Sequence, residues 1–591
     1  MALLYSVFAA FVAASMVSVM LTVSVVADKV SGVNRYGGQA KYLAEGAVEA
    51  AKKEIQESIA NWTAVPASGS ATINGIQVPY TIVQTGFAAT DTDPSGIETL
   101  VTGYQITATA TVQGNQATAS RIVNSEATPI FQFAVFYNND LEINPGPLMS
   151  VLGRVHSNGD MYLGSQNTTL TLNTNYVRAV GDIFRHRKDD PNASQGTVNI
   201  RRWVSNPFSG AEPSEYVTMR SQGQMNNDGI TSTSGYDSNF TGGWDVNQNG
   251  DYTETGDALP WGPGALEYWS EPEGYANGGG HTVLSADHGM TEAVTPHIGS
   301  IQMYESVQGG DFVFDPGTRQ YVATAPGTGT HNKGYYHSNA GLSIIVANNG
   351  TWKAFDGAGT NVTSHLTGVV SLSQMYDARQ ANGSTSKIWV ANVDVAALNA
   401  SGHFPSNGLL YAAHYGAGTG LNAKGIRLKN AAVLNSALTV VSENPLYVWG
   451  DYNVGDATHP QRGAALIGDA INLLSKSWDD AKVKGVLPSA ANTTYNAALI
   501  GGNQESSVGQ YNGGLENLPR FHENWSGKTC AFKGSFVNAY HSRFATGNWL
   551  YGSDRYEAPN RVWTYNTRFN NVANLPPFTP MAVSARDVVS W

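Results

Sequence analysis

Met1-Ala-Leu-Leu-Tyr-Ser-Val-Phe-Ala-Ala-Phe-Val-Ala-Ala-Ser-Met-Val-Ser-Val-Met-Leu-Thr-Val-Ser-Val-Val-Ala27 contains no charged side chain. As a helix it would be roughly 40 Å long, and about 20 apolar residues suffice to cross a bilayer. Three readings compete. Val25-Val26-Ala27 before Asp28 is an acceptable signal-peptide cleavage site, although no basic segment opens the stretch. The stretch also suits a plain membrane anchor. The third reading is an assembly helix, held in a membrane first and later among copies of itself. The residues beyond Asp28 favour the third. Leu43, Ala47, Ala51, Ile55 and Ile59 recur at four-residue steps, joined by Val48, with Glu45, Glu49, Lys52, Lys53 and Glu57 on the other face. That is an amphipathic helix continuing the apolar one. Gly32, Gly37 and Gly38 predict a kink or a melted stretch between the halves.

The rest of the chain has the texture of an extracellular β-rich protein. Of its 591 residues only 14% are charged and 64 are glycine, which suits many turns. The length allows several domains. The net charge is −12, from 46 acids against 34 bases, and no basic run stands out. Nucleic acid is therefore not expected as a partner. Cys530 is the single cysteine, so no intrachain disulfide, zinc knuckle or haem motif can form. It reads as a small buried filler.

Residues 61–125 alternate in short runs such as Val78–Val83 and Tyr104–Val112, separated by turn clusters at Asn74-Gly75 and Gly114-Asn115. This predicts a small antiparallel sheet. From 126 to 591, short apolar runs alternate with turns, and Gly-Asp recurs at Gly159-Asp160, Gly181-Asp182, Gly450-Asp451 and Gly468-Asp469. Stacked coils of a β-helix would give this pattern, and so would a two-sheet sandwich; the β-helix is preferred. Residues at about 184–340 are polar and Gly-rich and read as long insertions on that head. The expected fold is α+β, mostly β: an N-terminal helix over 1–60, a small antiparallel sheet over 61–125, and a β-helix-like head over 126–591.

Ala40-Lys-Tyr-Leu-Ala-Glu-Gly-Ala-Val-Glu-Ala-Ala51 resembles the A-x-x-x-A-E-A-A/G-x-E-A stretch of type IV pilin-like proteins of the PilX class. Leu438–Asn453, Ala464–Ser475, Leu515–Trp525 and Gly153–Asp160 are similar to segments of large pilin-associated surface proteins. The resemblance covers the ends and the last third of the chain. It implies an inner-membrane precursor, trimmed by a prepilin peptidase and assembled by helix packing, with the numbering starting near the mature end. Tyr5 stands where pilins commonly carry Glu, and Thr22 where many carry Pro. Assembly would then run through Leu3, Leu4, Tyr5, Phe8, Phe11, Val12, Val19 and Leu21.

The best metal motif is Asp245-Val-Asn247-Gln-Asn249-Gly250-Asp251-Tyr-Thr-Glu254-Thr-Gly-Asp257. Oxygen ligands at alternate positions with Gly at the sixth suit Ca²⁺, which takes six to eight hard oxygens. The acid usual at the twelfth position is missing, and Asp257 or Glu254 would replace it. The expected ligands are Asp245, Asn247, Asn249, Asp251, Glu254 and Asp257, and the ion's role would be structural. His156, Ser157, Asn158 and Asp160 share one turn, but neighbours in sequence rarely form a nucleophile–base geometry, so a structural corner is expected. Ser526-Gly-Lys-Thr529 ends like a phosphate-binding loop, yet His522 stands where its first Gly is needed. Trp244, Trp261, Trp269, Trp525, Trp549 and Trp563 read as exposed aromatics, which packing explains more readily than sugar stacking.

The sequence thus predicts a non-enzymatic subunit of a pilus-like filament on a bacterial cell surface. Its partners would be copies of itself or other pilin-like chains, and the inner membrane before assembly. A membrane-anchored adhesin binding glycans through the 184–340 loops is the alternative, followed by a surface carbohydrate-active enzyme.

Overall fold

The four-residue apolar step is realised as one helix, α1 (Ala2–Ala60), of 59 residues. The computed structural model describes residues 2–86, 88–92, 97–190, 196–201, 216–219, 282–286, 290–303, 312–315, 320–323, 334–416 and 419–588. The expected interruption at Gly32, Gly37 and Gly38 is absent, since helical pairing carries through all three. Each glycine costs about 1 kcal/mol relative to Ala, and the neighbouring turns outweigh that. The described chain is thus a long N-terminal helix followed by mostly β structure, with a small sheet and a large β-rich region. It divides into two compact units: Met1–Thr90 with Leu100–Ala127 and Val583–Trp591, and Asp91–Thr99 with Thr128–Ala582.

In the first unit, β1 (Ser68–Ile73), β2 (Ile76–Gln84), β4 (Glu98–Val112) and β5 (Asn115–Pro129) pair antiparallel in one sheet, and β3 (Ala89–Thr92) pairs with β4. Asn74 and Gly75 both take positive φ in the first hairpin, as a type I′ turn requires. The next turn centres on Gln113-Gly114, one residue earlier than the sequence suggests, and Asn115 opens the strand. Leu43, Ala47, Val48, Ala51 and Ile55 pack with Val78, Ile82, Tyr104, Ile106 and Val123 into one core. A Cβ at Gly46 would lie 2.9 Å from the Ile73 Cδ1, so the missing side chain lets helix and hairpin close up.

A strand from the far end of the chain, Met581–Asp587, completes this sheet beside β5. The sequence reading places it in the head, because nothing local marks its partner. Lys52 binds Asp587 at 3.1 Å, and Gln56 Nε2 donates to the Val583 carbonyl at 3.0 Å.

The second unit is built on parallel ladders. Val135, Val155, Val177 and Val283 stand side by side in successive strands of one sheet. Leu141–Ile143, Met161–Leu163 and Ile183–Phe184 form a second ladder, and Met149–Leu152, Thr169–Asn173 and Thr197–Arg201 a third. The Asp of the recurring corner ties one level to the next. Asp140 Oδ1 accepts from the Asp160 N–H at 2.8 Å, and Asp160 Oδ1 accepts from the Asp182 N–H at 2.9 Å. A Cβ at Gly181 would overlap the Asp160 carboxylate, which explains the Gly before that Asp.

The last third repeats the scheme. Leu409–His414, Leu438–Val441, Ala464–Gly468, Ala498–Asn503 and the end of Thr529–His541 extend the first sheet. Ile388–Asp394, Lys424–Lys429, Leu446–Trp449, Ile471–Leu474 and Pro519–Phe521 form another. Strands such as Leu409–His414 and Ala464–Gly468 are buried at every position, as parallel strands covered on both faces are. Phe536 pairs with Val135, so the region's first strand lies beside its last long one.

Candidate assembly site

The two halves of α1 meet different surroundings. Phe8, Phe11, Val12, Val19 and Leu21 are exposed, Phe11 to 76%, whereas Ala47 is fully buried. For Leu3, Leu4 and Tyr5 the structure describes the helical backbone only. The window of highest hydropathy averages 2.2 and none of it is buried, which makes α1 the one described helix long and apolar enough to cross a membrane. Two of its hydroxyls bond back to the helix: Ser15 Oγ donates to the Phe11 carbonyl at 2.5 Å and Thr22 Oγ1 to the Ser18 carbonyl at 2.8 Å. With the backbone and these two hydroxyls paired within the helix, the surface suits a lipid or helix-bundle environment. Towards the other end, Arg121 pairs with Glu49 and, at 3.1 Å, with Asp587, fixing the packed half to its sheet.

The remaining expected sites divide into three. Asp245, Asn247, Asn249, Asp251, Glu254 and Asp257, with Trp244, Trp261 and Trp269, lie outside the described residues. Trp525 and Trp563, expected as exposed aromatics, are buried, Trp525 completely; Trp525 packs edge-on against Phe521, and Trp563 packs against Phe532 and Phe536. Trp549 is half-buried. Among the described residues no group of three or more His, Cys, Asp or Glu is placed to hold a metal ion.

The corner at His156 is assembled without a catalytic geometry. Ser157 Oγ donates to the carbonyls of Asn139 at 2.8 Å and Asp160 at 3.0 Å. His156 Nε2 meets Asn158 Oδ1 at 2.9 Å, and its ring stacks on Phe136 with centroids 4.8 Å apart. Hydroxyl and imidazole therefore serve different neighbours. Burial, opposed by the Asn158 bond and helped by Arg178 and Arg154, pulls the imidazole down to about 4. Cys530 is fully buried, and burial pushes its thiol up to about 12, so it is no thiolate at neutral pH.

The histidine has a consequence for stability. Its pKa is lower folded than unfolded, so the unfolded chain binds the extra proton between about pH 6.5 and 4, and stability is lost on acidification through that window. A fall from 6.5 to about 4 corresponds to about 3 kcal/mol. His156→Gln should therefore flatten the acid side of the stability–pH curve, whatever its stability at pH 7. Urea unfolding from pH 4 to 7 checks this, and parallel curves for the two proteins would refute it.

No protein-family model matches the chain, and no curated protein does. Among solved structures it is similar to the competence-associated pilin ComZ from Thermus thermophilus. The two are 11% identical, the match covers 93% of this chain and 98% of that one, and the TM-score is 0.28. At this level of likeness, function has to be read from the two-sided helix and the sheet that grips one end of it.

Proposed function

We propose that the chain is a structural subunit of a type IV pilus-like filament on a bacterial cell surface. It would assemble with copies of itself or with other pilin-like subunits after passing through the inner membrane. The observation that carries this reading is the division of α1: an unbroken helix apolar and exposed over its first half, clamped to its own small sheet over its second. Burial among like helices contributes about 25 cal/mol per Å² of apolar surface, which makes association favourable without any disulfide. The β-rich region would be a displayed head wound as a β-helix, a reading supported by its parallel ladders and Asp-linked corners. No catalytic step is assigned to it.

The arrangement of thiols offers a direct test. Because Cys530 is buried, a Phe11→Cys substitution supplies the one accessible thiol among the described residues. In filaments sheared from cells, a short bis-maleimide should link copies into covalent dimers through Phe11→Cys, one thiol from each copy. Monomers alone in that preparation, or filaments lacking the chain, would count against assembly through this helix.

The loop from Asp245 to Asp257 is proposed to bind Ca²⁺ through the oxygens of Asp245, Asn247, Asn249, Asp251, Glu254 and Asp257, stiffening a polar insertion. Calorimetric titration should show saturable Ca²⁺ heat that disappears in Asp245→Ala/Asp251→Ala. The same heat in wild type and variant would remove the ion from this loop.

A further inference from the structure

One cavity of about 480 Å³ in the second unit has a lining unlike the other described hollows. Trp549, Tyr551, Tyr511 and Tyr556 bring four aromatic rings to it, together with Asn144 and Glu516. The volume lies within the usual range of small-ligand sites. Trp549 and Tyr551 are held nearly parallel, 6° apart with centroids 5.8 Å apart, and Tyr551 is 47% exposed. The tryptophan is fixed in place: its Nε1 donates to the Tyr556 hydroxyl at 3.3 Å, and a Cβ at Gly513 would lie 2.6 Å from that nitrogen. The Tyr551 hydroxyl donates to Glu557 Oε2 at 3.0 Å.

Beside the rings stand groups that both donate and accept. Glu516 is 5% exposed; its Oε1 accepts from the Asn144 N–H at 2.5 Å, while Oε2 has no hydrogen-bond partner. An unpartnered buried oxygen is costly unless a ligand or water meets it. Burial, opposed chiefly by Arg561, pushes this carboxyl up to about 8, so near pH 7 it carries its proton and has an O–H to offer. Glu557 and Arg561, of opposite sign, are the remaining charged lining residues. The site therefore has no net charge to recruit an ion.

We propose that this cavity binds a short neutral saccharide, stacked on Trp549 and Tyr551 and hydrogen-bonded by Asn144, Glu516 and Glu557. A sugar ring is apolar on its faces and ringed by hydroxyls that donate and accept. Fixed aromatic rings beside a charge-balanced polar wall match that two-sided chemistry. The proposal concerns the head alone and stands independently of filament assembly.

The test is a titration of the full chain, held in a zwitterionic detergent without a sugar headgroup, with maltotriose, cellotriose and chitotriose. Tryptophan fluorescence and calorimetry provide the readout. At least one of the three should bind saturably. Trp549→Ala should weaken it by about tenfold or more, Trp549→Phe should retain most of the affinity, and Trp389→Ala, at an exposed tryptophan outside the cavity, should change nothing. Glu516→Gln, which keeps a neutral polar group, should still bind. The proposal is overturned if none of the three sugars binds saturably, if Trp549→Ala and Tyr551→Ala both leave affinity unchanged, or if trigalacturonate binds more tightly than all three neutral sugars.

Discussion

Leu21→Asp is expected to take the chain out of both membranes and filaments while leaving its fold intact. Leu21 is 61% exposed in the apolar half of α1, so the substitution breaks no contact of the folded chain. The same position in a bilayer, or among neighbouring helices, has no water for a carboxylate. Placing Asp at the centre of a membrane helix costs about 2.5–3.5 kcal/mol, and losing the leucine adds about half a kcal/mol. Together these correspond to a fall of more than about a hundredfold in partitioning. Ser15 and Thr22 show how the native sequence avoids such a cost, each bonding back to its own helix; aspartate has no donor with which to do so. Membrane fractionation and electron microscopy of sheared filaments would read the effect, with thermal unfolding as the control for the fold. A Leu21→Asp chain that fractionates and assembles like wild type would dispose of the assembly role of this surface.

The second large effect lies deep in the head. Asp377 is 1% exposed and ties several elements together. It accepts from the N–H groups of Arg379 at 3.0 Å and Gln380 at 3.1 Å, capping a short helix, and from the Tyr447 hydroxyl at 2.8 Å. His522 Nε2 is 4.0 Å away. Burial pushes its carboxyl up, while His522, the Gln380 N–H, Tyr447 and Arg520 pull it down, and the balance lies below the usual carboxylate range. Removing one member of such a buried charged group strands the others, which typically costs 3–5 kcal/mol, on the order of a third or more of a domain's stability. Asp377→Ala should lose about that much, and Asp377→Asn, which keeps an acceptor oxygen, clearly less. Urea unfolding of the full chain, followed through a head tryptophan, measures both. If Asp377→Ala lies within about half a kcal/mol of wild type, the network is not what stabilises this corner.

What the sequence discloses follows the range of the interaction that leaves the trace. The packed half of α1 repeats every four residues because one face meets one sheet, so Leu43, Ala47, Ala51 and Ile55 are legible. The first hairpin is legible because Asn74-Gly75 has few other uses. The continuity of α1 past Gly37 and Gly38 is not, because glycine propensity is a local penalty overruled by the turns on either side. The Gly-Asp corners at Gly159 and Gly181 announce themselves, since each needs a small residue beside the carboxylate of the level before. The pairing of Met581–Asp587 with β5 leaves no local mark, because the partners lie more than four hundred residues apart. The cavity is only half legible. Trp549 is legible as an aromatic, but Tyr511, Glu516 and Asn144 meet it only through the folded ladders.

The return of the chain at Met581 has an evolutionary reading. The second unit, apart from its short Asp91–Thr99 segment, is inserted between two strands, β5 and Met581–Asp587, that are neighbours in one sheet. Val135–Tyr137, the first strand after the entry, pairs with the end of Thr529–His541 in the middle of the long sheet, and the outermost strands, Val283–Leu284 and Trp352–Asp356, are the ones farthest from that pair along it. Gene duplication could add or delete strands at either outer edge without disturbing the pairing of β5 with Met581–Asp587. Under the proposed function, lineages would in this way vary what is displayed while inheriting the assembly helix and its sheet unchanged.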